Sequence, residues 1–432
     1  MSRPLTVVLG AGPAGLAAAE AASRGGNAVV LVDDNPDPGG QIWRGGPDQW
    51  KDKRADALWT ALLGRAEVRL LSGARLVATS GANMLLLETA TGAIELPWQR
   101  LILCTGAREL LLPFPGWTLP GVTGAGGMQA LIKAGMPVAG KRVLVAGSGP
   151  LLLAVANSVR RHGGEVLAIA ERRSTRELGR FLFRLALHHP GKLRQAFQLR
   201  ASLRGIPYLH GATVREALGA ARLSQVSVSH AGALKNFGCD FLACGFGLLP
   251  ATEVAQLFGC RLDQGSVAVD ARQRSSVAQV WAAGESTGIG GLDKALAEGA
   301  IAGLDACGET PSAHERRVLV AAQDFAHLLA RAFTPDSGLQ QLCHPSTIVC
   351  RCEDVRAEQL TLHGNWRSAK LQTRVGMGAC QGRVCGAACR FLYGWESMDT
   401  RPPVFPARAA TLAAVGASKT GISGGTGSGG EQ

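Results

Sequence analysis

Short runs of apolar residues, each closed by glycine or by an acid, punctuate this chain. Leu5-Thr6-Val7-Val8-Leu9 passes directly into Gly10-Ala11-Gly12-Pro13-Ala14-Gly15 and an alanine-rich stretch through Ala22, which predicts a strand, a glycine loop and a helix. In that context Gly10 serves a tight turn, Gly12 lets a pyrophosphate approach the backbone, and Gly15 lets the helix pack closely on the strand, with its N-terminus facing the phosphate charge. A second apolar run, Ala28 to Val32, ends at Asp33, a carboxylate placed where a ribose hydroxyl pair would be held.

The pattern returns. Arg142 to Ala146 leads into Gly147-Ser148-Gly149-Pro150, a helix, and the strand Val166 to Ala170 ending at Glu171. The spacing is 23 residues from Gly10 to Asp33 and 24 from Gly147 to Glu171. Each copy also has a later strand that breaks at glycine: Leu101 to Gly106, carrying Thr105, and Phe241 to Gly245. This is an internal repeat of a dinucleotide fold. Beyond it, Val280 to Ala283 reads as one more buried strand, closed by Gly284-Glu285 and followed by a helix from Leu292 to Cys307. The second copy carries Leu152 where the third glycine would stand, which is expected to push its helix off the strand and disturb a pyrophosphate seat. Gly147, Gly149 and Glu171 therefore define a second nucleotide site expected to be vestigial or to hold another adenine nucleotide, rather than NAD(P)H.

The 432 residues, 46% of them apolar, suffice for two or three cores. Fifty-seven glycines with only 5% aromatic residues suit an α/β chain rich in strand-to-helix turns. Neither a signal peptide nor a bilayer-length apolar run is evident, so a cytoplasmic protein without a membrane span is expected. There, eleven cysteines point to metal, cluster or redox chemistry before disulfides. The net charge of +12 is partly concentrated between Arg172 and Arg204. Arg172, Arg176, Arg180 and Arg184, interleaved with Leu178, Leu182 and Leu185, describe one face of an amphipathic helix, either solvated or docked to an acidic subunit. No nucleic-acid motif accompanies the charge. Cys104, Cys239 and Cys244 read as buried structural thiols, and His188-His189 as surface residues whose side chains diverge on a helix.

A change of composition follows a helical stretch, Ala313 to Ala332. Cys350-Arg351-Cys352 and Cys380-Gln381-Gly382-Arg383-Val384-Cys385 set two thiol pairs with 27 residues between them. Four soft ligands suit zinc or a 2Fe-2S cluster. Cys-x-Cys is the less natural zinc spacing, so the cluster is favoured, with Cys389 as a bystander and amides of Gly378, Gly382 and Gly386 within reach of the sulfurs.

The layout resembles the two-dinucleotide-binding-domain flavoproteins, the group of glutathione and thioredoxin reductases, although no Cys-x-x-Cys flanks either glycine loop and disulfide reduction is not expected. The segment from Cys350 to Cys385 resembles the bacterioferritin-associated ferredoxin-like 2Fe-2S domain. The whole set, with Cys104 to Gly116, Leu119 to Gly127, Gly147 to Ala154 and Cys244 to Pro250, resembles the FAD-dependent α subunit of the D-hydroxyproline dehydrogenase, opine oxidase and hydrogen cyanide synthase family.

The resemblance implies FAD on Gly10, Gly12, Pro13, Ala14, Gly15, Asp33 and Asp34. It adds Gly40, Gln41, Thr105 and Gly106, and it places Glu285, beside Gly284, on the ribityl chain. It implies a 2Fe-2S cluster on Cys350, Cys352, Cys380 and Cys385, and allows FMN at a subunit interface. The partners implied are an amino-acid-oxidase-like β subunit that oxidises the C–N bond and a small ferredoxin-like subunit, leaving this chain as an electron relay. No general base or oxyanion arrangement is evident, which agrees.

The expected fold is α/β, with two Rossmann-like domains, one inserted in the other, and a small mainly helical cluster domain. The expected boundaries are 1–115 and 276–312 for the FAD domain, 116–275 for the insert, 313–345 for a linker, 346–406 for the cluster domain and 407–432 for a disordered tail. A self-contained NAD(P)H-dependent ferredoxin or rubredoxin reductase, and a non-catalytic zinc-binding assembly subunit, are the alternatives.

Overall fold

Thr6–Leu9 lies at the centre of a five-stranded parallel sheet, between Val29–Val32 and Arg100–Leu103, with Val68–Leu71 and Val280–Ala282 at the edges. The computed structural model describes residues 5–396 and 400–417. Both faces of this sheet are covered, which is why its strands are written as apolar runs without alternation. Arg142–Gly147 holds the same central place in a second parallel sheet. Its neighbours are Glu165–Glu171 and Phe241–Gly245, and its edges Tyr208–His210 and Val122–Gly124. Each fold also carries a three-stranded antiparallel sheet, Arg75–Pro97 in the first and Thr213–Gly238 in the second.

The two folds are threaded through one another. The first takes its edge strand, Val280–Ala282, from beyond the second, and the second takes its edge strand, Val122–Gly124, from ahead of its own first strand. The return to the first fold comes before residue 276. Val254, Ala255, Cys260 and Val267 already pack in its core with Val7, Leu101 and Val280, and Leu248–Pro250 pairs with Ala107–Glu109. Apolar burial and this strand pairing assign them.

The expected linker is packed as well. The helix Ala313–Phe333 begins at a capping box of Ser312 and Glu315 and places Leu319 against Ala297 and Ile301, while Leu339 and Leu342 enter the core of the second fold. Beyond it, the hairpin Ile348–Cys350 and Val355–Arg356 and the helices Trp366–Thr373 and Cys385–Tyr393 enclose a small core of Val349, Leu360, Trp366, Val375 and Cys389. Part of the stretch expected as a disordered tail from residue 407 is ordered. Ala409–Ala417 is a helix tied to the first fold, with the Arg408 amide and the Thr411 hydroxyl both donating to Glu88, at 2.8 and 2.6 Å. The Gly/Ser-rich stretch from Ser418 lies outside the described residues.

The basic amphipathic helix is Thr175–His188, started by Ser174 and Glu177 and followed by Pro190–Ala201. Phe183, Leu187 and Phe197 on this hairpin are largely exposed. Arg172 stands before the helix and turns elsewhere, as described below.

Candidate functional site: a glycine cradle and a nest of thiols

The helix Pro13–Ser23 leaves the first strand through Gly12 with Pro13 in its first turn, so the ring fixes a helical backbone where no amide partner is needed. Its inner face is alanine and glycine because it meets backbone. A Cβ on Gly15 would stand 1.7 Å from the Gly10 carbonyl oxygen, and one on Gly299 of the helix Leu292–Ala306 would stand 2.1 Å from the Ala14 carbonyl oxygen. Gly40 faces the loop from the far side, where a Cβ would come within 3.0 Å of Gly12 Cα. Gly12 and Gly40 thus leave a strip of bare backbone at the helix N-terminus, the surface an anionic pyrophosphate requires.

Asp33 closes the cradle. Its carboxylate accepts from the Ala11 amide at 2.5 Å and from the Asn35 amide and side chain, both at 2.8 Å. Asp34 is half exposed, 3.7 Å from Arg75; burial and then the neighbouring Asp33 raise its carboxyl above the usual range. The structure therefore brings Gly10 to Gly15, Asp33, Gly40 and, through a would-be Cβ 2.8 Å from Ala14, Gly284 into one place.

Other expected residues are engaged elsewhere. The Thr105 hydroxyl donates to the Ala251 carbonyl at 2.6 Å, and Gly106 accepts from the Ala251 amide, stapling two strand ends together. Gln41 is exposed; its side chain accepts from Arg44, and its carbonyl accepts from Lys133 of the second fold. Glu285 caps the helix Leu292–Ala306, accepting from the Gly291 amide at 2.6 Å, and burial raises its carboxyl.

Lys294 and Glu298 are not found by motif reasoning. They form an ion pair of 2.8 Å at 5% and 1% exposure. The Lys294 ammonium also donates to the Gly284 and Gly288 carbonyls and to Thr287, and Glu298 accepts from the Gly284 amide and the Thr287 hydroxyl. Their i,i+4 spacing on an alanine-rich helix is the signal for them in the sequence.

The second glycine loop follows the same order of strand, turn and helix with its volume traded, its helix starting one position later and Gly149 at φ of +101°. Leu152 is fully buried, and a Cβ on Gly245 would lie 3.3 Å from Leu152 Cδ2, whereas in the first fold the equivalent pair is Gly15 against Cys104. The helix Leu151–Arg161 therefore stays on its strand, contrary to the expectation from Leu152 alone: the glycine has moved to the facing strand. Glu171, almost wholly buried, accepts from the Gly149 amide at 2.9 Å and from Ser148 at 3.1 Å. Phe333 lies over the turn, its Cγ 3.5 Å from where a Gly149 Cβ would be.

In the C-terminal unit, Cys350, Cys352, Cys380 and Cys385 converge. The Cys385 thiol is in hydrogen-bonding reach of both Cys350 and Cys380, and Cys380 is in reach of Cys352. The Cys385 thiol, with amides of Gly376, Glu353 and Cys352, holds Cys350 down to about 6. The same thiol, with amides of Val384 and Gly382, holds Cys380 well below the usual thiol range. Cys350 and Cys380 in turn push Cys385 far up. Cys352 receives the Cys380 amide, but burial and the Cys380 sulfur raise it.

Of the glycines expected here, Gly382 supplies an amide, Gly378 gives room for Cys352, whose Cβ stands 2.2 Å from a would-be Gly378 Cβ, and Gly386 backs onto Trp366. Cys389 is buried and pushed up to about 12 by burial. Among the described residues no group of three or more His, Cys, Asp or Glu side chains is set to hold a single metal ion. All eleven cysteines are free; Cys104, Cys239 and Cys244 are buried. His189 packs edge-on to Phe325, with ring centroids 5.5 Å apart.

Two threaded dinucleotide folds with one open glycine cradle define the class: an FAD-dependent oxidoreductase of two nucleotide-binding domains. The chain belongs to the pyridine nucleotide-disulphide oxidoreductase family, which matches residues 5–299. Within that class it is similar to the hydrogen cyanide synthase subunit HcnB of Pseudomonas aeruginosa, 32% identical with 89% of this chain and 91% of that protein covered. It is also 32% identical to an opine oxidase subunit of Rhizobium meliloti, over 88% of this chain and 90% of that one. Among solved structures it matches the L-proline dehydrogenase from P. horikoshii at a TM-score of 0.67 and 18% identity, over 95% of this chain and 80% of that one, a likeness of fold. Among the described residues no helix is long and apolar enough to cross a membrane.

Proposed function

We propose that this chain is the FAD- and iron-sulfur-carrying subunit of a multisubunit dehydrogenase for an amino or imino acid of the D-hydroxyproline, proline or opine type. Substrate is oxidised at its C–N bond on a partner β subunit, and this chain relays the electrons. Relatives named as subunits of hydrogen cyanide synthase and opine oxidase support the setting.

The observation that carries the reading is the pairing, in one chain, of the open glycine cradle with the nest of four thiols. The cradle's residues fit FAD: Gly12 and Gly40 leave backbone for the pyrophosphate, and Asp33 stands at the ribose end. FAD, when bound, accepts an electron pair and passes single electrons onward. The thiols fit a 2Fe-2S cluster by donor type, with four sulfurs and backbone amides aimed at three of them, the arrangement that favours anionic sulfur. Cys350, Cys352, Cys380 and Cys385 would hold it, and Trp366 and Val375 exclude water from their buried side. A second flavin, FMN, at a subunit interface and a small ferredoxin-like partner belong to the same reading, as does a cytoplasmic location for a chain whose eleven cysteines are all free.

The test is low-temperature electron paramagnetic resonance of the anaerobically purified chain after dithionite reduction. A rhombic signal that disappears in Cys350→Ser supports the relay. A silent spectrum from protein carrying a full complement of zinc removes the cluster and leaves the assembly-subunit reading.

A further inference from the structure

The mouth of the second dinucleotide fold is filled by the chain itself. Four consecutive residues, Phe333 to Asp336, leave the long helix Ala313–Phe333 and cross from the glycine turn to the end of the second strand. Phe333 sits against Gly149 and is braced by Phe181, with ring centroids 5.0 Å apart and planes at 72°. The Thr334 carbonyl accepts from the Arg173 guanidinium. Pro335 Cγ stands 4.0 Å from a would-be Cβ on Gly247. The Asp336 carboxylate takes both arms of Arg172, 2.7 Å from Nε and closer still to Nη2, while Arg172 Nη1 donates to Thr213 at 2.8 Å.

Each contact falls where a dinucleotide would need one. The turn at Gly149 is the pyrophosphate seat, Glu171 is the ribose acid, and an arginine directly after that acid is the position from which a 2′-phosphate would be held. An aromatic ring covers the first seat. The Gly149 amide and Ser148 are already spent on Glu171 in the second, and a carboxylate neutralises the arginine in the third.

We infer that Phe333 and Asp336, rather than the leucine in place of the third glycine, are the specificity-determining residues that close the second dinucleotide fold to nicotinamide nucleotides. The helix Leu151–Arg161 is seated on its strand because Gly245 makes room for Leu152, although it begins one position later than its counterpart and Gly149 has φ of +101° where Gly12 has −73°. What bars entry is the segment laid across it. That segment runs on through the turn Ser337–Leu342, where Gln340 donates to the Phe391 carbonyl at 2.7 Å, into the thiol-bearing unit. The second fold has thereby exchanged a cofactor for an anchor. Electrons from NADH or NADPH are excluded whether or not the thiols carry a cluster.

The test is calorimetric titration of the full chain, saturated with FAD, with ADP-ribose and with 2′-phospho-ADP-ribose, redox-inert fragments of the two cofactors. Saturation with FAD assigns any heat to the second fold, because binding at the first cradle is suppressed by added FAD. The wild type should show no saturable binding up to about 1 mM. Phe333→Gly combined with Asp336→Ala should bind ADP-ribose at least about tenfold more strongly, since the competent state is no longer a minor one. The same variant should prefer the 2′-phosphorylated fragment, and adding Arg172→Ala should remove that preference.

Saturable wild-type binding that survives excess FAD would overturn the inference. So would a folded, flavin-retaining double variant that stays silent. If the double variant does not fold, Asp336→Asn, which loosens only the charged end, must still strengthen binding of the 2′-phospho fragment, and its silence counts equally against the closure.

Discussion

Removal of the Lys294 ammonium is the sharpest test of how the flavin cradle is held. Lys294→Met keeps an unbranched apolar stem and deletes four interactions: with the Gly284 and Gly288 carbonyls at 3.0 and 2.9 Å, and with Thr287 and Glu298 at 2.8 Å each. The Glu298 carboxylate, 1% exposed, then keeps the Gly284 amide and the Thr287 hydroxyl but loses its counter-charge. Breaking one side of a buried pair costs about 3–5 kcal/mol, since the survivor cannot be solvated. At about 2 °C per kcal/mol for a body of this size, the melting temperature should fall by about 6–10 °C.

The loop from Gly284 to Gly288 rests on this pair, and Gly284 in turn contacts Ala14 beneath the cradle, so flavin retained after gel filtration should fall in parallel. Differential scanning fluorimetry and the flavin absorbance of the eluted protein read the two effects. Lys294→Met with Glu298→Leu should recover part of the stability, because no unpaired charge is left, but not all of it, because the Gly288 carbonyl and the Gly284 amide lose these partners. A Lys294→Met protein that melts within about 2 °C of the wild type with full flavin would refute the reasoning.

Gly284→Ala, whose Cβ would press on Ala14 at 2.8 Å from a backbone with φ of +85°, should cost about 1–3 kcal/mol and most of the bound flavin, measured by the same two assays. Gly245→Ala, with a Cβ 3.1 Å from Ala125 and 3.3 Å from Leu152, should destabilise by about 1–3 kcal/mol. In a Leu152→Ala background that penalty should shrink, and a double-mutant cycle in urea reads the coupling. The Thr411 hydroxyl and then the Arg408 amide hold Glu88 below the usual carboxylate range, so their support of the helix Ala409–Ala417 is complete above the unfolded carboxyl value, about 4.3. It is lost as pH falls through the lower folded value. Hydrogen exchange of residues 408–417 should accelerate over that window, and Glu88→Gln should reproduce the loss at neutral pH.

Much of the architecture is legible locally. A strand that must turn through glycine into a helix, with an acid closing the next strand, is written in contiguous residues, and its repetition at Arg142–Glu171 is visible for the same reason. The four converging cysteines stand in two short motifs, each spanning only a few residues of chain. These signals are short-range because φ above zero, close helix packing and ligand bite each constrain only a few neighbouring positions.

What the chain decides only on folding depends on partners far apart in sequence. Leu152 looks disruptive until Gly245, on a strand far along the chain, gives it space. The acid at Glu285 turns to the Gly291 amide at the start of the following helix, while the buried support of the loop falls to Lys294 and Glu298, whose i,i+4 spacing is equally that of a surface pair. Phe333 and Asp336 carry no motif; they close a site because the helix Ala313–Phe333 ends beside Gly149 and Arg172. Volume complementarity, counter-charge and occlusion are properties of juxtaposed surfaces, and juxtaposition is what tertiary structure supplies.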